Sequence, residues 1–254
     1  MTVKEIKRIL GDKFLSKSRG QTLLLDENIA RKIADLVDEM GEKRILEIGP
    51  GLGIITKFLQ AKGYEVTTVE IDKDFCEYLR GKGIKVINED FLKLSVNQSL
   101  PRAVVSALPF SVSVQILLRL KEEREHFRKW FVIVQKEVAE RIISKPCKKT
   151  YSSLSIIFQL LFDINIEFNI PPNAFFPKPG ITSTVLKGSL KENPFIEVTP
   201  EFEKFLKDIF RFRRKTLKNN LFDYNLEDVF IDLHRRAETL KVEEVVRLYR
   251  ELSK

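Results

Sequence analysis

Between Arg44 and Val134 five short runs rich in apolar residues recur: Arg44-Ile45-Leu46-Glu47-Ile48-Gly49, Glu65-Val66-Thr67-Thr68-Val69-Glu70, Lys85-Val86-Ile87-Asn88, Ala103-Val104-Val105-Ser106-Ala107 and Trp130-Phe131-Val132-Ile133-Val134. Segments of helical apolar spacing separate most of them: Ile54 to Ala61, Asp74 to Arg80, and helices starting near Val112 and Glu137. Runs this short have the length of strands, and a helix between two strands carries the chain back so that the next strand runs the same way. The alternation therefore predicts an α/β fold, a parallel sheet with helices on both faces.

The flanks read differently. Ile29, Ile33, Leu36, Val37 and Met40 have helical spacing after Asp26, and Gly41 is a natural stop. Past Thr150 the alternation ends. Leu154 to Leu161 reads as helix, and Ile164 to Phe168 and Thr184 to Leu186 read as strands about the Pro-rich loop Pro171 to Pro179, an antiparallel pair at the sheet edge. From Thr199 the apolar spacing, as in Phe202, Phe205, Leu206, Ile209 and Phe210, is helical only. Two domains are expected: 1–192, and a small all-helical domain at 193–254.

Of 254 residues 43% are hydrophobic, enough to fill a sizeable core, and 44 Lys and Arg against 36 Asp and Glu leave a net charge of +8 that favours phosphate-bearing partners. Two cysteines, Cys76 and Cys147, make neither a disulfide framework nor a zinc site, so a metal-free, cytoplasmic protein is expected. No apolar run approaches the roughly 20 residues of a membrane span. The arm at residues 1–19, with six cations and two acids, reads either as a solvated helix or as a phosphate-facing arm.

The turn Gly49-Pro50-Gly51-Leu52-Gly53 closes the first strand and opens a helix, where glycines let a ligand approach the backbone. Glu70 ends the second strand about 20 residues later, the place from which a carboxylate accepts the two hydroxyls of a ribose. That spacing suits NAD equally well. The dinucleotide pattern G-x-G-x-x-G is absent, however, and the acidic Glu47 disfavours a diphosphate, which points to S-adenosylmethionine. A dehydrogenase also lacks a catalytic His or Tyr-x-x-x-Lys here. Asp90-Phe91 offers an acceptor and an apolar plate to an adenine, or is simply a polar turn. Ala107-Leu108-Pro109-Phe110 ends the fourth strand, where such a sheet presents groups to substrate, and Phe110 can stack on a base.

With these motifs the chain resembles the ribosomal RNA small-subunit adenine N6,N6-dimethyltransferases. The resemblance is carried by Gly20-Gln21-Thr22-Leu23-Leu24-Leu25-Asp26, the Glu47 to Gly53 turn, Glu70-Ile71-Asp72, Asp90-Phe91, Gln135 to Arg141, Tyr151 to Ser155, Phe176 to Ser183, Phe212 to Leu221 and Arg236-Ala237-Glu238. It implies a Rossmann-like class I methyltransferase domain followed by the helical domain. It also implies transfer of two methyl groups from S-adenosylmethionine to N6 of each of two adjacent adenosines near the 3′ end of small-subunit ribosomal RNA, during ribosome biogenesis. The partner would be that RNA or the pre-small-subunit particle, and a monomer is adequate. By position, Gln21, Thr22, Leu24, Gly49, Gly51, Glu70, Ile71, Asp90, Phe91 and Ala107 would bind the cofactor, and Ala107, Leu108, Pro109 and Phe110 the reacting base.

The family's tetrapeptide begins with Asn, and Ala107 stands here instead. An exocyclic amine is a poor nucleophile, and losing one acceptor for its N–H costs a few kcal/mol by analogy with the roughly 2.7–4 kcal/mol of an oxyanion-hole donor. Ser106 or the Leu108 carbonyl then substitutes, or the protein is an assembly factor with little chemistry. Arg211-Phe212-Arg213-Arg214-Lys215-Thr216-Leu217-Lys218 holds five cations in eight residues, expected on a helix with Phe and Leu inward and its charges on RNA. Lys145, Lys148 and Lys149 around Pro146 make a second basic loop.

Overall fold

A computed structural model describes residues 22–227 and 229–253. The basic arm and Gln21 lie outside the described residues. Chain contacts divide the protein into two units, one running up to Ala139 and including Asn165–Ser189, the other comprising Glu140–Ile164 and the chain from Leu190. The second unit thus takes in a segment around Leu154 to Leu161 besides the tail expected from residue 193.

β1 (Leu23–Leu24) pairs antiparallel with β8 (Phe175–Phe176), while the main sheet has seven strands. These are β2 (Arg44–Ile48), β3 (Glu65–Glu70), β4 (Lys85–Asn88), β5 (Ala103–Ala107), β6 (Lys129–Gln135), β7 (Phe162–Ile170) and β9 (Ser183–Leu190), in the order β4-β3-β2-β5-β6-β9-β7. The five runs seen in the sequence are the five parallel strands, joined in parallel register from β4 to β6. β9 runs antiparallel to β6, with β7 beyond it at the edge. From β2 the chain builds outward to β3 and β4, then returns to the other side of β2 for β5. The order reverses between β2 and β5, and the carboxyl ends of strands at such a reversal form a crevice.

Local chemistry sets the element ends. Asp26 caps α1 (Glu27–Leu36), its Oδ1 accepting from the N–H of Asn28 at 2.9 Å and of Ile29 at 3.1 Å. A 3-10 turn, Val37–Met40, follows and ends at Gly41 in the left-handed region (φ 67°). The helices that return the chain between strands are α2 (Ile54–Ala61), α3 (Lys73–Gly81) and α4 (Ser113–Glu122), and α5 (Lys136–Ile142) follows β6. The core joins Ile33 and Val37, Ile45 of β2, Leu59 of α2 and Phe131 of β6, all at most 2% exposed. Each such side chain contributes about 1.5–3 kcal/mol by leaving water.

The second unit is helical: α6 (Ser153–Leu161), α7 (Pro200–Ile209), the single turn α8 (Leu217–Asn220) and α9 (Val242–Leu252). Its core is aromatic, with Tyr249 of α9 at 4.9 Å and 5.3 Å between ring centres from Phe202 and Phe205 of α7. Helix is not continuous after Thr199 as the spacing predicts. Residues 211–216, 221–227 and 229–236 form turns and irregular chain.

Candidate active site

The crevice at the β2/β5 reversal is a cleft of about 440 Å³ in the first unit. Of the residues expected there, Thr22, Gly49, Gly51, Glu70, Ile71, Asp90, Phe91, Ala107 and Pro109 line it. Leu24 does not: alternation along β1 turns it into the core, while its neighbour Leu23 faces the cleft. Leu108 is likewise buried, its N–H donating to Ile133 O at 3.1 Å. Phe110 lies outside the lining, its ring edge-on to Phe175 at 6.3 Å. The cleft also recruits residues that the motifs did not single out, among them Phe75 of α3, Glu89 and Ser111. Phe75 read as an ordinary apolar helix position. Glu89 adjoins the Asp90-Phe91 pair and Ser111 the tetrapeptide 107–110, which was the one available signal.

The glycine turn has a steric reason. Gly51 sits at φ +56°, and a Cβ there would lie 2.6 Å from Leu23 Cδ2. Only glycine keeps both the turn and β1 in place. Its N–H faces Glu70 Oε2 at 3.4 Å, while Glu70 Oε1 accepts from Asp72 N–H at 3.0 Å. Glu70 is 5% exposed. Burial raises its pKa above the ordinary carboxylate value, opposed by the N–H groups of Asp72 and Gly51. Asn88 Nδ2 donates to Glu70 O at 3.0 Å and steadies the end of β3. Asp90 closes a tight turn by accepting from Leu92 N–H at 2.9 Å, and Phe91 leans on Phe127 at 5.9 Å.

Glu47 departs from expectation. It does not line the cleft, because Ile48, its neighbour along β2, does and the strand places Glu47 on the opposite face. Its carboxylate accepts the Thr56 hydroxyl from the first turn of α2 at 2.5 Å. Burial drives its pKa up to about 7, the Thr56 hydrogen bond opposes this, and repulsion from Glu70 adds to it. Its place is beneath the glycine turn, not in contact with a ligand. Ser106 is also out of reach: it is fully buried, it does not line the cleft, and its hydroxyl donates to Ile48 O at 2.5 Å, tying β5 to β2. For want of access to the cleft it is not the substitute acceptor for a missing Asn at position 107.

The basic residues belong to the second unit. Lys145, Lys148 and Lys149 are exposed on a loop clasped by the Ser144–Thr150 hydroxyl pair at 2.7 Å and by Gln159 Nε2, which donates to Ile142 O and Ser144 O. Arg211, Arg213, Arg214, Lys215 and Lys218 are exposed too. Only Lys218 is on a helix, and Phe212 faces outward, 53% exposed. The expected helix is replaced because buried Asn220 captures the backbone with its side chain. Its Oδ1 accepts from Phe212 N–H at 3.1 Å, and its Nδ2 donates to Ile209 O at 2.9 Å and Phe212 O at 3.3 Å. Glu238 connects the two basic segments: its carbonyl accepts from Cys147 N–H at 2.7 Å and its carboxylate from Arg213 at 3.0 Å.

Residues 13–254 match the family model described as ribosomal RNA adenine dimethylase. The chain is 38% identical over 248 residues to the ribosomal RNA small subunit methyltransferase A of Flavobacterium johnsoniae, covering 91% of this chain and 93% of that protein. Against the protein of the same name from Thermotoga maritima it is 37% identical over 242 residues, covering 92% and 84%. Among solved structures it is similar to a dimethyladenosine transferase from Plasmodium falciparum, with TM-score 0.77 at 22% identity over 91% of this chain and 97% of that one. It is also similar to the 23S rRNA methyltransferase ErmE, with TM-score 0.70 at 22% identity over 91% and 100%. These two structures show a shared class I methyltransferase fold. Among the described residues no helix is long and apolar enough to cross a membrane.

Proposed function

The chain belongs to the ribosomal RNA adenine dimethylase family, and from that premise we propose that it transfers methyl groups from S-adenosylmethionine to N6 of two adjacent adenosines near the 3′ end of small-subunit ribosomal RNA. The single observation that carries the reading, beyond family, is the buried Glu70 carboxylate at the mouth of a mostly apolar cleft beside a glycine turn. A cofactor with a ribose, an adenine and a sulfonium fits that donor set. Glu70 accepts the ribose hydroxyls, and Asp90 accepts from the adenine amine. Ile71, 59% exposed at the cleft wall, gains a planar apolar partner opposite Phe91. The cofactor supplies an electrophilic methyl group. We assign the cytoplasmic pre-small-subunit particle as the substrate and a monomer as the working form. Lys145, Lys148, Lys149, Arg211, Arg213, Arg214, Lys215 and Lys218 are assigned to its RNA.

For the acceptor adenine the chain supplies position and hydrogen-bond acceptors. Accepting the N6–H bonds turns the amine's lone pair out of the ring and towards the methyl group, and the proton leaves after transfer, so no strong base is assigned. With Ala107 offering no side-chain acceptor, the Leu108 carbonyl ahead of Pro109 and the Ser111 hydroxyl take that role. The names of the relatives do not favour the assembly-factor alternative. The test is transfer of labelled methyl groups to unmethylated small ribosomal subunits, with digestion of the RNA and identification of its adenosines. Dimethyladenosine from the natural chain is expected. The Ala107→Asn variant should turn over at least tenfold faster, the low side of the roughly hundredfold that one well-placed polar group is worth. Cofactor binding without any transfer would overturn the enzyme reading.

A further inference from the structure

The outward turn of Phe212 is not isolated. Phe222, two residues past Asn220, is 62% exposed, and Asn220 holds the backbone of Phe212 while Arg211 reaches the Phe222 ring, so the two residues flank α8 in one region of the second unit. The turn is held firmly. Buried Asp208 on α7 accepts from Arg211 at 2.7 Å with one carboxylate oxygen and from the Tyr224 hydroxyl at 2.8 Å with the other. Arg211 in turn lies 5.6 Å from the centre of the Phe222 ring. Single exposed apolar side chains are ordinary on a protein surface. Two exposed phenyl rings on one braced segment that also carries Arg211, Arg213, Arg214, Lys215 and Lys218 are a different arrangement. Phe230, elsewhere in the same unit, is already faced by the Arg247 guanidinium at 3.5 Å. Phe212 and Phe222 keep most of their ring surface open.

We propose that Phe212 and Phe222 form a stacking platform for unpaired nucleotides of the RNA, with the cations around them holding the phosphates on either side. Planar rings beside a basic track are the chemistry that binds single strands, because every base has a face to stack while the phosphates are held by charge. A duplex keeps its bases stacked on one another and offers the platform nothing. The inference rests on the reading of the second unit as RNA-binding and adds the form of RNA it takes.

The test uses the full chain and two labelled probes, a short oligoadenylate and an RNA duplex of equal length, with affinities measured by fluorescence anisotropy at fixed salt. The variants are Phe212→Leu/Phe222→Leu, which keeps apolar bulk, and Phe212→Tyr/Phe222→Tyr, which keeps the rings. The platform requires that the Leu pair weaken single-strand binding by about tenfold or more, leave duplex binding and its salt dependence unchanged, and that the Tyr pair bind as the natural chain does. Unchanged single-strand affinity in the Leu pair overturns it. So does an equal loss on both probes. Intact RNA affinity together with weakened association with small ribosomal subunits also overturns it, and assigns the rings to a protein partner. Methyl transfer is a separate readout: its absence in the natural chain refutes the enzyme reading and leaves the platform standing.

Discussion

Glu70 and Glu47 stand close together in the first unit, and their surroundings give them different work. Glu70 has its oxygens at the cleft with two N–H groups near them. Replacing it by Gln keeps the shape but turns one acceptor into a donor pointed at Gly51 N–H or at the ribose hydroxyls. Hydrogen bonds to a charged group are worth about 1.5–3 kcal/mol, so Glu70→Gln should weaken S-adenosylmethionine binding on the order of ten- to a hundredfold by calorimetric titration. Equal affinity would remove Glu70 from the cofactor site. Glu47 has no such contact, and its signature is in stability. Its carboxyl titrates from the ordinary 4.5 up to about 7 in the fold, so between those values the folded chain binds more protons than the unfolded one. Its contribution is therefore fully present below about 4.5 and is lost as pH rises through 7, to a total of about 3 kcal/mol. Glu70 shifts in the same direction. Urea unfolding of the ligand-free protein from pH 5 to pH 8 should show the Glu47→Gln variant, which keeps a partner for Thr56, gaining on the natural chain as pH rises. Parallel curves would mean that Glu47 is not strained by burial.

At the scale of elements, β6 and β9 meet where Gly188 lies across from Trp130. A Cβ at Gly188 would fall 2.0 Å from Trp130 Cζ2, inside a ring that is fully buried and has nowhere to move. Gly188→Ala should cost about 3 kcal/mol, the upper end for overpacking, read as a lower urea midpoint at unchanged slope. A cost within a few tenths of a kcal/mol would show that the two strands separate freely there. The same contrast between local and distant causes explains what could be read in advance. The five parallel strands, the helix that follows Asp26 and the stop at Gly41 follow from residues within a few positions of each other, and they were legible. Glu70 and the glycine turn were legible for the same reason, since strand ends carry the site. The β1 pairing was not, because two residues become a strand only when Phe175 and Phe176 arrive from far along the chain. The turn at Phe212 was misread as helix because apolar spacing is blind to Asn220, whose side-chain amide replaces the helical hydrogen bonds. Leu24 and Leu108 adjoin cleft residues in sequence, yet alternation and burial turn their side chains away.

For the whole molecule, the net charge of +8 is a count, whereas RNA responds to charges that are free to release counterions. The eight cations assigned to RNA do not have equal standing. Arg211 is held by Asp208 at 2.7 Å and Arg213 by Glu238 at 3.0 Å, each with its charge already matched within the second unit. Arg214, Lys215, Lys218, Lys145, Lys148 and Lys149 are exposed and have no ion pair among the described residues. Neutralising a phosphate-bound cation flattens the slope of log affinity against log salt by about 0.7–0.9. Arg214→Gln and Lys215→Gln should each flatten it by about that amount. Arg211→Gln and Arg213→Gln should flatten it by less, because each guanidinium already neutralises a carboxylate and has less charge to give a phosphate. Their cost should appear as lower affinity at every salt concentration, since the turn that presents Phe212 and Phe222 loses a brace. Filter binding of small-subunit RNA across a salt series separates the two classes. Equal slope changes for all four would mean that the internal pairs open on binding, and no slope change for Arg214→Gln and Lys215→Gln would move the RNA track off this turn. The sequence distance between Arg213 and Glu238 hides that distinction from any count of charges, so the basic run was legible as a patch but not as two kinds of cation.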